Sequence, residues 1–481
     1  ALLVALYALA FVGALALGAG LASEPGEERR LAVDALALGL LAGASLSVFI
    51  ALAQWAGGPS LPFFTADLPR GGRPFGNLAQ PNHLCSAAFL GLCGAAVLHE
   101  SGRLGRLAFW ACALYLVLGM TITGSRAGWL QLLLFVLALA ALGARTGARL
   151  RTRDGLALLV AYALAVWAWP QLNQFLLNFG GRDPGAQMEG GVRVPYWLAM
   201  LDAIGRAPWA GYGWQQVAAA QWAVALDHPP LGHLFEHAHN VVLDLLLWTG
   251  VPVGGALVLA AAWALLAPLR HLRDPRALGL SVAALGLVAH GLVEYPLEYA
   301  YFLLPMGVAL GAAHALSPGQ RDLRLSAPVL RGGAVLLTAV LGVVAVDYLE
   351  AEQNHRLLRL ESARIGTVKI ESVAPELRVL DQLQAFLAFA RTEARPGMGA
   401  DQLAQMSRAA RRWPIPPVML RHALAAGLNG QPEEARQTLA RLCRMHSRER
   451  CRELGPAWAA LQHRYPAQLS GIAPPPEANA R

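Results

Sequence analysis

Residues 127–143 read AGWLQLLLFVLALAALG, an unbroken run without a charged side chain. About 17 to 25 apolar residues in an α-helix cross the hydrocarbon core of a bilayer, so this run predicts a membrane-spanning helix. Comparable runs recur from residue 1 to about residue 347. They predict spans near residues 1–20, 31–53, 82–99, 107–123, 127–143, 155–170, 240–267, 277–293, 299–316 and 329–347. The chain is therefore predicted to be an all-α integral membrane protein with about ten or more transmembrane helices.

The composition excludes an ordinary soluble enzyme. Of the 481 residues, 56% are hydrophobic and only 15% are charged, and the mean hydropathy is +0.42. The formal charge of +8 is carried by arginine, and no basic stripe with interleaved aromatic residues predicts nucleic-acid binding. No cysteine forms a metal-type pair with a nearby histidine, which argues against a zinc site. We predict no cofactor. Because Ala1 lies inside an apolar run, we expect a further segment upstream of it.

Arginines cluster in every second connection between the predicted spans. The clusters are Arg29 with Arg30, Arg103 with Arg106, Arg145 to Arg153, Arg270 to Arg276, and Arg321 with Arg324. The positive-inside rule predicts that these connections face the cytoplasm. The intervening connections, which include a large loop over residues 171–239, are then periplasmic. Glycine and proline pairs in this loop predict irregular backbone with short helices.

Polar motifs from distant parts of the chain fall on the predicted periplasmic face. They are Gln80 to His83, Ser125 with Arg126, Arg193, His237 to Asn240, and Glu294 to Tyr299. Ionisable groups at membrane depth are costly to hold, so their gathering in one layer predicts a functional site. The plain alternative is that each motif begins or ends a helix at the interface.

The same motifs resemble a known family. Residues 76–83, GNLAQPNH, resemble the signature of PglL-type protein O-oligosaccharyltransferases, also called pilin glycosylation ligases. Residues 123–128, TGSRAG, resemble the start of the core shared by the WaaL ligases and Wzy polymerases of O-antigen. Arg193 with the GYG of residues 211–213 is similar to the arginine-led segment of that core, and His239-Asn240 is similar to the histidine motif of the ligases. The resemblance covers roughly residues 54–316.

The resemblance implies a metal-independent, GT-C-like glycosyltransferase. Its donor would be a glycan on undecaprenyl pyrophosphate, and its acceptor a serine or threonine hydroxyl of a periplasmic protein such as pilin. Such a donor is already activated, so transfer requires a deprotonated hydroxyl and stabilisation of the departing pyrophosphate.

Histidine and arginine suit these two tasks. His239 is our candidate base for the acceptor hydroxyl, with His237 second, because a histidine accepts a proton near neutral pH. Arg126 and Arg193 are the candidates for the pyrophosphate, because a guanidinium stays charged and pairs with phosphate oxygens. The plain alternatives are an arginine or histidine that only anchors a helix end at the interface.

Further candidates for substrate binding flank these residues. Gln80 and Asn82 carry carboxamides that can bind sugar hydroxyls, although Gln80 also fits a helix start before Pro81. Tyr295 and Tyr299 fit an ordinary aromatic belt at the membrane surface. By resemblance one of these tyrosines contacts donor or acceptor.

The chain divides into two predicted domains, a polytopic ligase domain over residues 1–347 and a soluble helical periplasmic domain over residues 348–481. Residues 422–439 have the small-residue spacing of a helical hairpin and resemble a tetratricopeptide unit. A docking platform for the acceptor and a plain helical cap are both open for this domain. Cys443 and Cys451 can form a disulfide only if a turn separates them.

Other functions fit parts of the pattern. An O-antigen ligase would use lipid A-core as its acceptor, and an O-antigen polymerase would join two lipid-linked repeats. A secondary transporter is the alternative from another class, because midplane polar residues can bind a solute. Transporters of that kind often contain two similar halves, and the sequence has no internal repeat that we can detect.

The arginine pattern makes the topology testable. We expect reporter fusions after Arg106, Arg153 and Arg276 to read as cytoplasmic, and fusions within residues 180–230 or after residue 360 to read as periplasmic. A periplasmic reading at any of the three arginine positions would overturn the arrangement.

Overall fold

The computed structural model describes residues 2–58, 67–68, 72–177, 193–317, 326–362 and 373–475. Within these ranges the chain is helical and has no β-strand. The first twelve helices are α1 (Leu2–Ser23), α2 (Gly26–Trp55), α3 (Pro81–Glu100), α4 (Arg106–Ile122), α5 (Ala127–Thr146), α6 (Thr152–Leu177), α7 (Arg193–Arg206), α8 (Val217–Val224), α9 (Val241–Leu266), α10 (Pro275–Gly291), α11 (Ala300–Ala315) and α12 (Ala327–Ser362). The last six are α13 (Asp381–Arg391), α14 (Ala400–Arg412), α15 (Pro416–Leu428), α16 (Pro432–Met445), α17 (Arg448–Arg464) and α18 (Pro466–Leu469).

The prediction of an all-α, multi-pass membrane protein is confirmed. Each predicted span corresponds to a helix, and seven of the described helices are long and apolar enough to cross a membrane. The short helices α4 and α11 are apolar as well. Two elements continue past their predicted ends, since α6 runs through Pro170 to Leu177 and α12 runs to Ser362. Arg321, Arg324 and residues 178–192 of the predicted large loop lie outside the described residues.

The predicted span 240–267 differs from the structure because α9 is interrupted at Gly250. This residue has φ 77° and ψ 171°, outside helical geometry, and Pro252 follows it. The two segments of α9 meet closely, since a Cβ at Gly254 would lie 2.7 Å from the carbonyl oxygen of Leu245. After the break, residues 251–266 form a helical segment about 24 Å long.

Small residues bring the membrane helices together. At the crossing of α1 and α11, a Cβ added to Gly18 would lie 2.0 Å from the carbonyl oxygen of Val308, and one added to Gly311 would lie 2.0 Å from that of Leu15. Because lipid is as apolar as leucine, membrane helices associate through such close backbone packing.

The helix α3 occupies the centre of the membrane part. It contacts α2, α4, α5 and α10, and nearly all of its side chains are buried. Its two ends define two faces of the protein. We call the side of residues 80–82 and 292–299 the site face. The opposite side, with the connections at residues 101–105, 147–151 and 272–274, is the arginine face.

The helices after residue 380 form a second hydrophobic core, with Met419, Leu439 and Trp458 fully buried. The helices α15 and α16 pack as a hairpin where the sequence predicts one. Cys443 of α16 and Cys451 of α17 form a disulfide with a Cα–Cα distance of 4.6 Å. The non-helical residues between α16 and α17 supply the turn that this bond requires.

The helix α8 joins this second core to the loop ahead of His237. Trp222 of α8 belongs to the same hydrophobic cluster as α14 to α17. The guanidinium of Arg441 lies 5.1 Å from the centroid of the Trp222 ring and donates a hydrogen bond to the Trp222 carbonyl at 3.2 Å. The carbonyl of Arg444 accepts hydrogen bonds from the amides of Leu231 and Gly232 at 3.1 and 3.3 Å. The loop and the C-terminal helices therefore fold as one packed unit.

The break in α9 gives a test of stability. In Gly250→Ala the new Cβ would lie 2.5 Å from the carbonyl carbon and oxygen of Trp209. The alanine would also have to adopt the positive φ of Gly250. We expect a cost of at least about 1–3 kcal/mol from the backbone alone, measured as a lower unfolding midpoint in detergent. Gly255→Ala is the matched control, because a Cβ there meets no atom within 4 Å. Equal midpoints for the two variants would contradict the strained geometry at Gly250.

Candidate active site

Glu294 lies at the centre of the polar cluster on the site face. Its Oε2 lies 2.7 Å from Nδ1 of His239, and its Oε1 accepts a hydrogen bond from the Asn82 side chain at 3.1 Å. Arg193 donates to the same Oε1 and forms an ion pair with it. Three of the predicted site residues are thus brought together by a fourth residue that the sequence placed near them but did not single out.

The end of α10 positions Glu294. Its amide donates to the carbonyl of His290 at 2.9 Å, so the hydrogen-bond pattern of an α-helix continues beyond Gly291. A short 3-10 helix, Pro296–Glu298, then turns the chain into α11. Only 7% of the Glu294 side chain is exposed, so the carboxylate depends on its protein partners for stabilisation.

The loop before α9 holds His239 from both sides. The Tyr196 hydroxyl donates to the carbonyl of His237 at 3.0 Å, and the Trp197 indole donates to that of Ala238 at 2.8 Å. The Ala238 amide donates to Asp244 of α9 at 2.7 Å. His239 itself has a φ of 52°, a conformation uncommon outside glycine. These bonds over-determine the backbone and aim the ring at Glu294.

Asn240 ties this loop to the turn of Glu294. Its side-chain oxygen caps α9 by accepting from the amides of Val242 and Leu243 at 3.0 and 3.2 Å. Its side-chain nitrogen donates to the carbonyl of Leu292 at 3.1 Å. One asparagine thereby fixes the start of α9 and its separation from the end of α10.

The charges around Glu294 keep it ionised. Burial by itself raises the pKa of Glu294, but the hydrogen bond from His239 and the electrostatic effects of His239 and Arg193 more than offset this and hold the pKa below its usual range. Burial, helped by His239, lowers the pKa of His237 to about 4, so His237 is neutral at neutral pH. His237 Nδ1 is buried and has no hydrogen-bond partner among the described residues.

The two predicted tyrosines form a wall beside the histidines. The Tyr295 ring stacks on His237 with a centroid distance of 4.5 Å, and its edge meets His239 at 5.0 Å. Tyr299 stacks against Tyr295 at 6.2 Å. Burial raises the pKa of Tyr295 to about 12, so its phenol stays protonated and can donate a hydrogen bond.

Gln80 and Asn82 have different positions. Asn82 is in the first turn of α3 and contacts Glu294 directly. Gln80 is the residue before the helix, and Pro81 takes the first helical position as the sequence predicts. The Gln80 side chain caps no backbone amide there, whereas its carbonyl accepts from the amides of His83 and Leu84.

Arg126 lies outside the Glu294 cluster, at the start of α5. The turn before it is held by Arg73, which donates to the carbonyls of Thr123 and Gly124 at 3.1 and 3.4 Å. A Cβ at Gly128 would lie 3.2 Å from the sulfur of Cys85, one turn along α3 from Asn82. The turn of Arg126 therefore packs beside the helix that carries Asn82. No motif in the sequence indicates that Arg73 holds this turn.

A buried polar chain continues from the site into the membrane part. Gln131 donates to the Ser86 hydroxyl at 2.7 Å, and that hydroxyl lies 2.7 Å from Nδ1 of His290. Nδ1 of His83 lies 2.6 Å from the Tyr301 hydroxyl. Apart from His83, which belongs to the motif of residues 80–83, sequence reasoning missed this chain, because its members are single polar residues within apolar runs. Their spacing on α3 and α10 becomes meaningful only when the helices are packed together.

Comparison with known proteins adds three family matches. Residues 74–99 match the family described as protein glycosylation ligase, and residues 108–258 match O-antigen ligase. Residues 279–456 match the family described as virulence factor membrane-bound polymerase, C-terminal.

Two curated proteins of Acinetobacter baylyi are similar to the chain. A general O-oligosaccharyltransferase is 28% identical over 469 residues, which covers 93% of this chain and 79% of that protein. A ComP-specific O-oligosaccharyltransferase is 26% identical over 253 residues, which covers 52% of this chain and 45% of that protein.

The helical membrane fold and the two similar O-oligosaccharyltransferases indicate a glycosyltransferase-type membrane enzyme. The matches to O-antigen ligase and to protein glycosylation ligase support the O-antigen ligase superfamily and, within it, the PglL type that the motif of residues 76–83 predicts. The transporter alternative is therefore set aside.

Glu294 and Glu298 give a test, because their ionised forms should affect the stability of the fold in opposite directions. Because the pKa of Glu294 is lowered on folding, its ionised form stabilises the fold near neutral pH, and this contribution is lost as the pH falls through the folded pKa. Burial raises the pKa of Glu298, so its ionised form costs stability that returns on acidification.

We therefore expect opposite effects of two isosteric changes on the unfolding midpoint in detergent between about pH 7 and pH 3. Glu294→Gln should lose less stability on acidification than the parent, and Glu298→Gln should lose more. The same slope in all three proteins would mean that neither carboxylate has the stated environment.

Proposed function

We propose that the protein transfers an oligosaccharide from undecaprenyl pyrophosphate to serine or threonine hydroxyls of periplasmic proteins such as pilin. The observation that carries this proposal is the 2.7 Å contact between His239 and the buried carboxylate of Glu294. Protein O-glycosylation is also supported by the two similar proteins named as O-oligosaccharyltransferases and by the match to the glycosylation ligase family.

The contact determines which ring nitrogen of His239 faces Glu294. A carboxylate only accepts hydrogen bonds, so Nδ1 of His239 carries a proton, and the neutral form of the ring has its lone pair on Nε2. In the proposed step, Nε2 removes the proton from the acceptor hydroxyl as its oxygen attacks the anomeric carbon of the donor. The bond between that carbon and the pyrophosphate oxygen breaks, and Glu294 stabilises the imidazolium that forms.

Arginines take the charge of the leaving group. Arg193 uses part of its guanidinium for Glu294, but it has five N–H donors, and 22% of its side chain is exposed. We assign it, together with Arg126, to the pyrophosphate. Gln80 and Asn82 are assigned to sugar hydroxyls, and Tyr295 and Tyr299 to the flank of the donor or acceptor. His237 is assigned to the wall of the site, because it is neutral and stacked on Tyr295.

Two observations support a periplasmic orientation of the site. The arginine face fits the cytoplasmic side of the bacterial inner membrane, so the site face would open to the periplasm. The disulfide between Cys443 and Cys451 belongs to the domain that packs on the loop of the site face, and such bonds persist in oxidising compartments. A periplasmic site is where a flipped lipid-linked glycan and an exported protein meet.

The C-terminal helices are proposed as the platform on which the acceptor docks. Their contacts through Trp222, Arg441 and Arg444 reach the loop that leads to His237 and His239. An acceptor held on these helices would therefore be held near the base.

The mechanism predicts a specific loss of transfer. In cells that supply the lipid-linked glycan and an acceptor protein, we expect His239→Ala to lower glycopeptide formation by at least about 10²-fold, the contribution of a general base. His237→Ala is the matched control from the same loop and should lose less. Mass spectrometry of the acceptor and of lipopolysaccharide measures both variants.

Each outcome has a definite meaning. Near-normal transfer by His239→Ala at saturating donor and acceptor would mean that the histidine only supports the loop before α9. Glycan found on lipid A-core instead of protein would contradict the proposed protein acceptor, because the same chemistry would then serve an O-antigen ligase.

A further inference from the structure

A large polar cavity opens on the arginine face, at the opposite end of the membrane helices from His239. Its volume is about 970 Å³, within the range of small-ligand sites. It lies between the start of α2, the end of α3, the connection after α5, the start of α10 and the end of α11. Five elements distant in sequence thus form one cleft that the proposed reaction does not use.

The residues that line this cavity carry a net formal charge of +1. Five arginines and four carboxylates line it, and the arginines are Arg30, Arg103, Arg149, Arg273 and Arg276. Asp34 pairs with Arg103 at 2.7 Å, and Asp274 pairs with Arg276 at 2.7 Å. These four charges cancel within the protein.

The remaining cations have less compensation. Both carboxylate oxygens of Glu100 accept from the backbone amides of Arg149 and Leu150 at 2.8 and 2.9 Å, so Glu100 holds the rim of the cavity. Within the described part of the chain, Arg30 and Arg273 form no ion pair. Two exposed guanidiniums therefore face the cleft together with the fourth carboxylate, Glu27, with which neither forms an ion pair.

Apolar crevices lead from this cavity along the membrane helices. A narrow crevice shares Glu100 and Pro275 with the cavity and continues between Phe135 of α5 and Leu278 of α10. Beyond it, a second cavity of about 390 Å³ lies against the end of α5, with an apolar wall that includes Leu139 and Leu150 and a polar rim that includes Arg151 and Arg153. A polar cleft beside apolar grooves at the membrane surface is suited to a molecule with a charged head and an apolar body.

We propose that this cavity binds the headgroup of an anionic phospholipid with a single phosphodiester charge, such as phosphatidylglycerol. The lining charge of positive one matches one negative headgroup, and the planar forks of Arg30 and Arg273 pair with its phosphate oxygens. The adjoining apolar grooves favour a lipid over free phosphate as the source of that group. The binding is independent of glycan transfer, so each proposal can fail alone.

Native mass spectrometry of the full chain in detergent tests the binding, with phosphatidylglycerol and phosphatidylcholine added in parallel. We expect retention of phosphatidylglycerol over phosphatidylcholine, and a loss of affinity of about tenfold or more in the double variant Arg30→Ala/Arg273→Ala. The matched control is Arg145→Ala/Arg270→Ala, which removes the same charge from exposed arginines outside the cavity. It should bind like the parent.

The proposal has clear points of failure. Equal losses in the two double variants would mean that net charge alone attracts the lipid. Equal retention of both lipids would remove the role of the headgroup charge. A separate arm adds inorganic phosphate and measures the unfolding midpoint. If phosphate raises the midpoint of the parent but not of the cavity variant, and no lipid is retained, the site binds free phosphate instead. All of the arginines changed are exposed, so we expect each variant to fold.

Discussion

A carboxylate buried at a membrane surface is the constraint on which the site depends. Glu294 has little contact with solvent, and an uncompensated charge there would cost several kcal/mol. Its partners come from three separate parts of the chain, Asn82 of α3, Arg193 of α7 and His239 ahead of α9. Because this one buried carboxylate needs all three partners, it fixes the relative positions of elements that are distant in sequence.

The same constraint explains the backbone around the site. His239 faces Glu294 with a positive φ, and that conformation is held by the bonds of Tyr196, Trp197 and Asp244 to the loop. The break at Gly250 turns the chain after the first segment of α9.

The sequence was informative where the signal is local. Hydrophobic runs identified the membrane helices, and the GNLAQPNH and HN motifs led to residues that do lie at one site. The break in α9 was not predicted, because residues 241–266 are apolar throughout and hydropathy does not report a change in direction. The importance of Glu294 was missed for another reason, since a glutamate near an interface is ordinary until its partners are known. Arg73 and the Ser86–His290 contact depend likewise on packing between distant helices.

The position of α8 has a consequence for how these enzymes can exchange parts. Trp222 is buried among the C-terminal helices, yet it lies in the sequence well before the last membrane helices. A recombinant that received only the C-terminal helices of a relative would cut through a shared hydrophobic core and lose the contacts of Arg441 and Arg444 with residues 222–232. The part of the protein that must be exchanged as a whole is therefore discontinuous in sequence. A functional graft has to carry the segment 217–236 together with the C-terminal helices, and natural variation in the two is expected to be correlated.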